Sequence, residues 1–441
     1  VDRIAPQIAL GRYSPEVTNN LSRIGLALGR INGADIWPAS AEALRFSAQV
    51  GTIHYSTLIE GNRLGLLEAE RAARGELDPT TKAEIELVNY VDALAFLDRR
   101  LAQDGLGITE DLLLKVHYEA TKGLGTEDGP FKPHHEGAWR DGEAGVWDPV
   151  SQRIVHAGAP QVEVRPRMLG LVDWVNAKLQ TPIEWPAPVV AGLLHFFIAD
   201  IHPFADGNGR TARLMTAALL MKTGQVPGRM FNFDAYYGTD KAAYLDALRS
   251  PRRETLSLES WVRYFTNGLA LEYERVAGEV DRLGGLGRTA GGERLQLSSN
   301  QQSGVSRLAL RHIAEFDRRD YERAANVSTT TATKDLRRLA EAGVLIRVGA
   351  GPSTRYRFVT AAAVNPWIAK RAGRPRLWTD ERIEAELRVL VGERRTFPTT
   401  AAFDDAGQQA LYAAVHRHGG TSEWARRLGI EPPTAGSPGS P

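Results

Sequence analysis

Between Val189 and Met221 two apolar stretches of helical period flank a short polar loop, and this arrangement leaves few folds open to the chain. Val189, Val190, Leu193, Leu194, Phe197, Ile198 and Ile201 recur at the spacing of a helix face, and Leu214, Ala217, Ala218 and Met221 resume the pattern. Pro203 and Gly207 break the helix between them. The loop therefore joins two core helices, and it reads His202-Pro203-Phe204-Ala205-Asp206-Gly207-Asn208-Gly209-Arg210-Thr211-Ala212-Arg213.

Each residue type in that loop has a distinct chemical use. A Gly-Asn-Gly turn feeding a helix presents backbone N–H groups and the positive end of the helix dipole to an anion. Arg210 and Arg213 are three residues apart and share one face at the helix start, where guanidinium forks match phosphate oxygens. Asp206 offers the single carboxylate that Mg²⁺ takes while phosphates and waters fill its other positions. His202 titrates near ~6.5 when unperturbed and accepts a hydroxyl proton at neutral pH. The bland reading of any one residue is a capped core helix with a tight turn. Together they describe a site that holds a nucleoside triphosphate and activates a hydroxyl against it.

The string matches the signature of the Fic family, His-Pro-Phe-x-Asp/Glu-Gly-Asn-Gly-Arg-x-x-Arg, at every defined position. The chain resembles Fic-domain protein adenylyltransferases over about residues 30–268, and the resemblance implies transfer of AMP from ATP to a protein hydroxyl on Ser, Thr or Tyr. It further implies that His202 deprotonates the target, Asp206 holds Mg²⁺, Gly207, Asn208 and Gly209 cradle the α- and β-phosphates, Arg210 neutralises the leaving pyrophosphate and Arg213 clamps the γ-phosphate. Positioning and charge neutralisation dominate such chemistry.

Upstream, Ser56-Thr57-Leu58-Ile59-Glu60-Gly61-Asn62 resembles the family's inhibitory motif, Ser/Thr-x-x-x-Glu-Gly/Asn. Residues 41–60 read as a helix with Leu44, Ala48, Leu58 and Ile59 available for packing, ended by Gly61. Ser56 and Glu60 lie one turn apart on one face. The resemblance implies that Glu60 faces Arg213 and blocks the γ-phosphate from within the same chain.

Between the two motifs, Gly142 to Gly158 places Val146, Trp147, Ile154 and Val155 around a polar turn at Asp148-Pro149, a β-hairpin pattern. In the Fic family a hairpin here, the flap, docks the target segment by strand addition. Its neighbourhood, Ala157-Gly158-Ala159-Pro160, is poorer in proline than the family's usual flap. Tyr236, Tyr237 and Tyr244 lie where the family often lines the adenine pocket, while their spacing reads as packing. His195 reads as a support residue inside the core. Without cysteine or a His-Glu-x-x-His spacing, no zinc site is expected.

A chain of 441 residues with 43% hydrophobic content allows several domains. No apolar run reaches the length of a membrane span, and Val1 to Leu10 lack the apolar segment of a signal peptide. The start at Val1 without methionine is read as a trimmed N-terminus. The absence of cysteine excludes a disulfide framework and fits a cytoplasmic protein. The net charge of +1 hides an asymmetry: residues 303–431 carry 22 Lys/Arg against 15 Asp/Glu. Gly284-Gly285-Leu286-Gly287 and Gly291-Gly292 read as a flexible linker just before that basic third.

After the linker, Ser306 to Phe316, Asp320 to Ala325 and a Ser328-capped segment to about Glu341 read as three helices, the last stopped by Gly343. Val344 to Val348 and Arg355 to Val359 follow as two strands. This order resembles the winged-helix module that many Fic proteins carry, with the third helix entering a DNA major groove. Lys334, Arg337 and Arg338, with Thr331 and Thr333, are its candidate DNA contacts, and Arg355 sits on the wing. Protein docking is the competing use of such a module. The segment from Trp378 to Ile430, with a helix at Asp380 to Leu390, resembles small helical accessory repeats of homing nucleases. Gly373-Arg374-Pro375-Arg376 resembles an AT-hook core but reads more simply as a basic linker.

The sequence thus predicts a mainly α protein: an N-terminal helical region with the inhibitory helix (1–104), a Fic core with a hairpin flap (105–280), a linker (281–300), a winged helix-turn-helix (301–360), a small helical DNA-binding module (375–431) and a disordered tail (432–441). The expected function is autoinhibited AMP transfer from Mg²⁺–ATP, coupled to DNA binding through the C-terminal modules, without membrane association and with a homodimer open. Two alternatives stay open: a DNA-binding regulator using the Fic domain as a nucleotide sensor, and a Fic enzyme that removes AMP or transfers another nucleotide. The intact His202 argues against the sensor, which needs no base.

Overall fold

The computed structural model describes residues 13–102, 107–148, 153–253, 258–286, 295–313, 315–359, 380–391, 396–398, 403, 411–412, 414–415, 418 and 420–431. Local capping sets many of the element boundaries. Helix α1 (Pro15–Asn32) begins where Ser14 Oγ accepts the Val17 N–H, and α2 (Pro38–Ile59) begins on a proline, whose missing N–H is tolerated in a first turn. Next come α3 (Leu66–Ala73), α4 (Lys82–Leu101), opened by a reciprocal Thr81–Glu84 capping box, and α5 (Glu110–Thr121), capped by Thr109.

The expected hairpin is present as β1 (Gly145–Asp148) and β2 (Arg153–Ala157), antiparallel, with Gly145 opposite Ala157 and an irregularity between Val146 and Trp147. Its turn at 149–152 lies outside the described residues. Then follow α6 (Gln161–Lys178), α7 (Ala187–Ile201), α8 (Asn208–Lys222), α9 (Asp234–Thr239), α10 (Lys241–Arg253) and α11 (Glu259–Leu286).

Helix α7 is the centre of the core, with Val189, Val190, Leu193, Leu194, His195 and Ile198 all fully buried. It packs on α8 and α11, and α11 packs along α1. Trp261 Nε1 donates to the Gly192 carbonyl at 2.7 Å and ties α11 to α7. Gly284 and Gly285, expected in a linker, instead lie within α11. Buried Leu283 and Leu286 on either side hold the helix there, so tertiary burial outweighs glycine's weak helix propensity.

Three further helices, α12 (Ser299–Leu310), α13 (Arg318–Ala325) and α14 (Thr329–Glu341), lead into an antiparallel pair, β3 (Leu345–Val348) and β4 (Arg355–Phe358). Helix α12 starts and ends earlier than the expected 306–316. A Ser298–Gln301 capping box opens it, and His312 adopts a left-handed conformation just past its end. Ser328 caps α14 as expected, and Gly343, at φ +73°, lets the chain turn back after it.

The chain divides into two compact units, Val1–Ala363 and Val364–Pro441. In the first, Val305, Leu308, Leu336, Leu339 and Phe358 join the same apolar core as the preceding helices. The second has its own core of Ile383, Leu387, Phe397, Phe403, Leu411, Val415 and Trp424, with helices at Asp380–Val391 and Gly420–Leu428. Residues 373–376 lie outside the described residues. Among the described residues no helix is long and apolar enough to cross a membrane.

Candidate active site

His202 ends α7 in the left-handed region, at φ 54° and ψ 60°. Such a conformation is strained for a non-glycine residue and persists only where its surroundings over-determine it. Arg140 supplies much of that constraint. Its Nε donates to the His202 carbonyl at 2.8 Å, its other nitrogens donate to the carbonyls of Gly142 and Ala159, and its own N–H donates to the Pro203 carbonyl. One buried side chain thus fixes the His202 loop to both ends of the hairpin.

The His202 Nδ1 lies 3.4 Å from the Ala199 carbonyl. A carbonyl only accepts, so Nδ1 carries the proton and Nε2 keeps its lone pair. Burial, with His156 and Arg140 adding positive charge nearby, pushes the imidazole down to about 4. At neutral pH it is an uncharged base.

The Gly207–Arg213 segment is shaped from behind. Asn208 Oδ1 accepts the Phe204 N–H at 2.9 Å while its Nδ2 donates to the Phe204 carbonyl at 2.8 Å, so this amide folds the loop back on itself. The Asn208 side chain is thereby engaged in the loop, and the backbone is left to meet an anion. His117 stacks on Phe204 with ring centroids 3.7 Å apart. Its Nδ1 accepts the Gly137 N–H and its Nε2 donates to the Asp206 carbonyl, an ordering that requires neutral imidazole. Burial accordingly holds it down at about 4. Gly207 takes φ 76° as the N-cap of α8, whose first N–H groups have no acceptor within the helix.

Both arginines of the motif are buried, with Arg210 2% and Arg213 3% exposed. Arg210 donates to the Ala120 carbonyl at 3.3 Å and lies 3.5 Å from Asp206 Oδ2. Its Nε, and Nη1 of Arg213, have no hydrogen-bond partner in the protein. Two orphaned guanidinium nitrogens beside a helix N-terminus are matched by a polyanion. Asp206 accepts the Gly207 N–H through Oδ1 at 2.6 Å, and its side chain is 44% exposed. A lone, accessible carboxylate beside a phosphate cradle fits Mg²⁺, which keeps waters and phosphate oxygens as its other ligands.

Glu60 terminates α2 at this place. Its Oε1 accepts from Arg213 Nη2 at 2.7 Å, while Ser56 takes Arg213 Nε on its Oγ at 2.7 Å and Nη2 on its carbonyl at 3.0 Å. A Cβ on Gly209 would lie 2.4 Å from Glu60 Oε1, so the bare glycine lets the carboxylate reach the first turn of α8. Burial raises the Glu60 pKa, but the charges of Arg213 and Arg210 outweigh it and hold the group below the usual carboxylate range. The carboxylate occupies part of the anion cradle.

A second layer supports Arg213. Ser56 Oγ accepts from Arg213, so its proton is available to Asp234, which also accepts the Tyr90 hydroxyl at 3.1 Å. On the other side, Thr216 donates to the Ala212 carbonyl and therefore accepts from His195 Nδ1, which leaves His195 Nε2 to accept the Tyr244 hydroxyl at 2.8 Å. His195 is thus the support residue expected. Tyr237 and Tyr244 are buried among His195, Trp261 and Phe265, and Tyr237 also lines a cavity beside Arg213.

The structure brings His202, Asp206, Gly207, Asn208, Gly209, Arg210, Arg213, Ser56 and Glu60 into one site. Lys334, Arg337 and Arg338 are on the exposed side of α14, where Arg337 pairs with Glu341 at 2.8 Å. His117, Arg140, Tyr90 and Asp234 were not singled out from sequence, since none belongs to a local motif. His134, His135 and Asp141 also approach within ligand distance of one another. His135 Nδ1 accepts the Lys132 N–H, so the proton of the neutral ring sits on Nε2, the atom facing Asp141, and that arrangement opposes metal binding.

A family model for Fic/DOC proteins matches residues 107–220. The protein adenylyltransferase Fic of Nematostella vectensis is 30% identical over 181 residues, 40% of this chain and 38% of that one. The protein of the same description from Culex quinquefasciatus is 28% identical over 210 residues, 46% of this chain and 37% of that one. The chain therefore spans less than half the length of these relatives. A crystal structure of a Fic family protein from Desulfovibrio desulfuricans aligns with TM-score 0.52 at 21% identity, over 79% of this chain and 97% of that one, a likeness of fold. The motif loop between α7 and α8, its helical surroundings and these matches agree: residues 107–220 of this chain are a Fic domain of the Fic/DOC family.

Proposed function

We propose that this chain transfers AMP from ATP to a hydroxyl side chain of a target protein, and that Glu60 holds the reaction off. The observation that carries the reading is the pair of buried arginines with unpartnered Nε and Nη1 at the start of α8, set beside a neutral His202. The hydroxyl oxygen attacks the α-phosphorus, the bond from that phosphorus to the bridging oxygen breaks, and pyrophosphate leaves with its electron pair. His202 Nε2 takes the hydroxyl proton. The N–H groups of the first turn of α8 and Arg210 stabilise charge on the α- and β-phosphates, and Arg213 fixes the γ-phosphate and with it the alignment of the α-phosphate. Asp206 would hold Mg²⁺, which supplies charge neutralisation on the phosphates when bound. An extended target segment would pair with the open edge of the β1–β2 hairpin.

The relatives' description as adenylyltransferases supports AMP as the group moved. Incubating Glu60→Gly with labelled ATP, UTP, GTP and CTP and with acceptor protein tests the reading. ATP-dependent labelling of a hydroxyl side chain is expected. Labelling from another nucleotide alone, or release of AMP from a pre-labelled protein without any labelling, replaces it with a different Fic chemistry.

A DNA-binding role is supported separately by the α12–α14 segment and its hairpin, in which Lys334, Arg338, Arg347, Arg355 and Arg357 are exposed. We read this segment as a winged helix whose α14 lies in the major groove and whose hairpin follows the backbone.

A further inference from the structure

Helix α2, which ends in Glu60, is a single 22-residue helix, roughly 33 Å long. Its far end belongs to the interface with α12. Ser40 is fully buried there, its Oγ 2.7 Å from Ser306 Oγ, and Ala43 and Leu44 are buried beside it. Midway along, Gly51 crosses Asn232 so closely that a Cβ would lie 2.1 Å from its Nδ2. Next to that crossing is a cavity of about 120 Å³ lined by Arg45, Gln49 and Thr52 of α2 and by Leu94, Met221 and Phe233 opposite. The inhibitory helix is therefore a rigid bar. It is buried along one side, approached most closely at Gly51 by Asn232 and one turn on at Tyr55 by Gly238, with open volume beside the Gly51 crossing, Glu60 at one end and α12 at the other.

Helix α12 is also fastened to the catalytic core. Arg282 of α11 donates to the Ala309 carbonyl at 2.9 Å, and Glu279 of α11 meets both Arg282 and His312. A change in the angle between the α12–α14 segment and α11 must then load α2 through the Ser40–Ser306 contact. Eleven residues separate Ser40 from Gly51 and nine separate Gly51 from Glu60, so the two arms are about 16 and 14 Å. A displacement of about 1 Å at Ser40 becomes nearly as much at Glu60, enough to take a 2.7 Å contact out of hydrogen-bonding range.

Resting on the function proposed above, we propose that duplex DNA regulates this site: bound to the exposed basic face of α14 and the β3–β4 hairpin, it shifts α12, rocks α2 about Gly51 and withdraws Glu60 from Arg213. Duplex DNA is the favoured partner because Lys334 and Arg338 on the helix and Arg347, Arg355 and Arg357 on the hairpin are all exposed cations, the last two on one face of the hairpin.

The test uses the full chain, labelled Mg²⁺–ATP and a mixed-sequence duplex at low salt. DNA should raise wild-type labelling by at least about tenfold, within the usual range of coupling between sites. The gain should disappear as salt releases the DNA, and in the Lys334→Ala/Arg338→Ala/Arg355→Ala variant. Glu60→Gly should label at the same rate with and without DNA. A second variant needs no DNA: Gly51→Ala presses α2 off Asn232 and should raise basal labelling, and adding Asn232→Ala should reverse the gain. A gain of activity cannot come from misfolding. An active Glu60→Gly together with a wild type that binds DNA without any change in rate overturns the inference and leaves the proposed function standing, as does a chain that binds no duplex. A silent Glu60→Gly overturns the function itself.

Discussion

Replacing Glu60 with glycine isolates the contact that we hold responsible for inhibition. On the proposed reading, the γ-phosphate of ATP reaches the full Arg213 fork by displacing a carboxylate bonded to it at 2.7 Å. The Arg213 side chain is 1% exposed and that of Glu60 29%, so the pair is close to buried but not sealed from water. Breaking a fully buried pair costs about 3–5 kcal/mol, and partial exposure reduces this to about 2–3 kcal/mol. Glu60→Gly should therefore raise kcat/KM for ATP roughly 30- to 160-fold. Glu60→Gln keeps the shape and an acceptor oxygen but loses the charge. With a neutral bond weaker by about 1 kcal/mol, it should raise the rate only about fivefold. Labelling by ATP carrying the label on the α-phosphate, with one acceptor and saturating Mg²⁺, measures all three proteins. Arg213→Ala in the Glu60→Gly background should return the enzyme toward silence. Equal rates for wild type and Glu60→Gly would refute the reasoning, and equal rates for Glu60→Gly and Glu60→Gln would show that charge, not occupancy, is the block.

His202→Ala in the Glu60→Gly background should abolish labelling while ATP binding, followed by calorimetry, stays within about twofold, because the base goes and the phosphate contacts stay. Because burial holds His202 at about 4, kcat/KM of Glu60→Gly should lose activity on the acid side near that value rather than near ~6.5. His117, His195 and His202 are held at about 4, 3 and 4 in the folded protein, so the unfolded chain binds more protons below ~6.5. Stability should be flat above that pH and fall as pH drops toward 4, which thermal unfolding at a series of pH values checks. Arg140→Ala strands the carbonyls of His202, Gly142 and Ala159 and should destabilise the fold by about 3 kcal/mol or more, read from denaturant unfolding.

The helical pair around the motif was legible because α7 and α8 carry an unbroken apolar period, and Pro203 and Gly207 mark the break. Ser328 and Gly343 likewise announced both ends of α14 through local chemistry. Apart from His195, the site's supports were not legible. Arg140 meets His202 across 62 positions, His117 meets Asp206 across 89 and Tyr90 meets Asp234 across 144, and no local spacing encodes such pairings. The motif also hid a division of labour. Asn208 looks like a phosphate ligand by type, yet its amide is held by Phe204, and the glycine at 209 makes room for Glu60. At Gly284 and Gly285 local propensity misled, because burial of Leu283 and Leu286 decides the conformation.

The most direct test of the central claim compares Glu60→Gly labelled with ATP carrying its label on the α-phosphate and with ATP carrying it on the γ-phosphate. The acceptor should take up the α label, none of the γ label, and neither when His202→Ala is added. Uptake of γ label would make the reaction phosphoryl rather than nucleotidyl transfer, and α labelling that survives His202→Ala would remove the base from the mechanism.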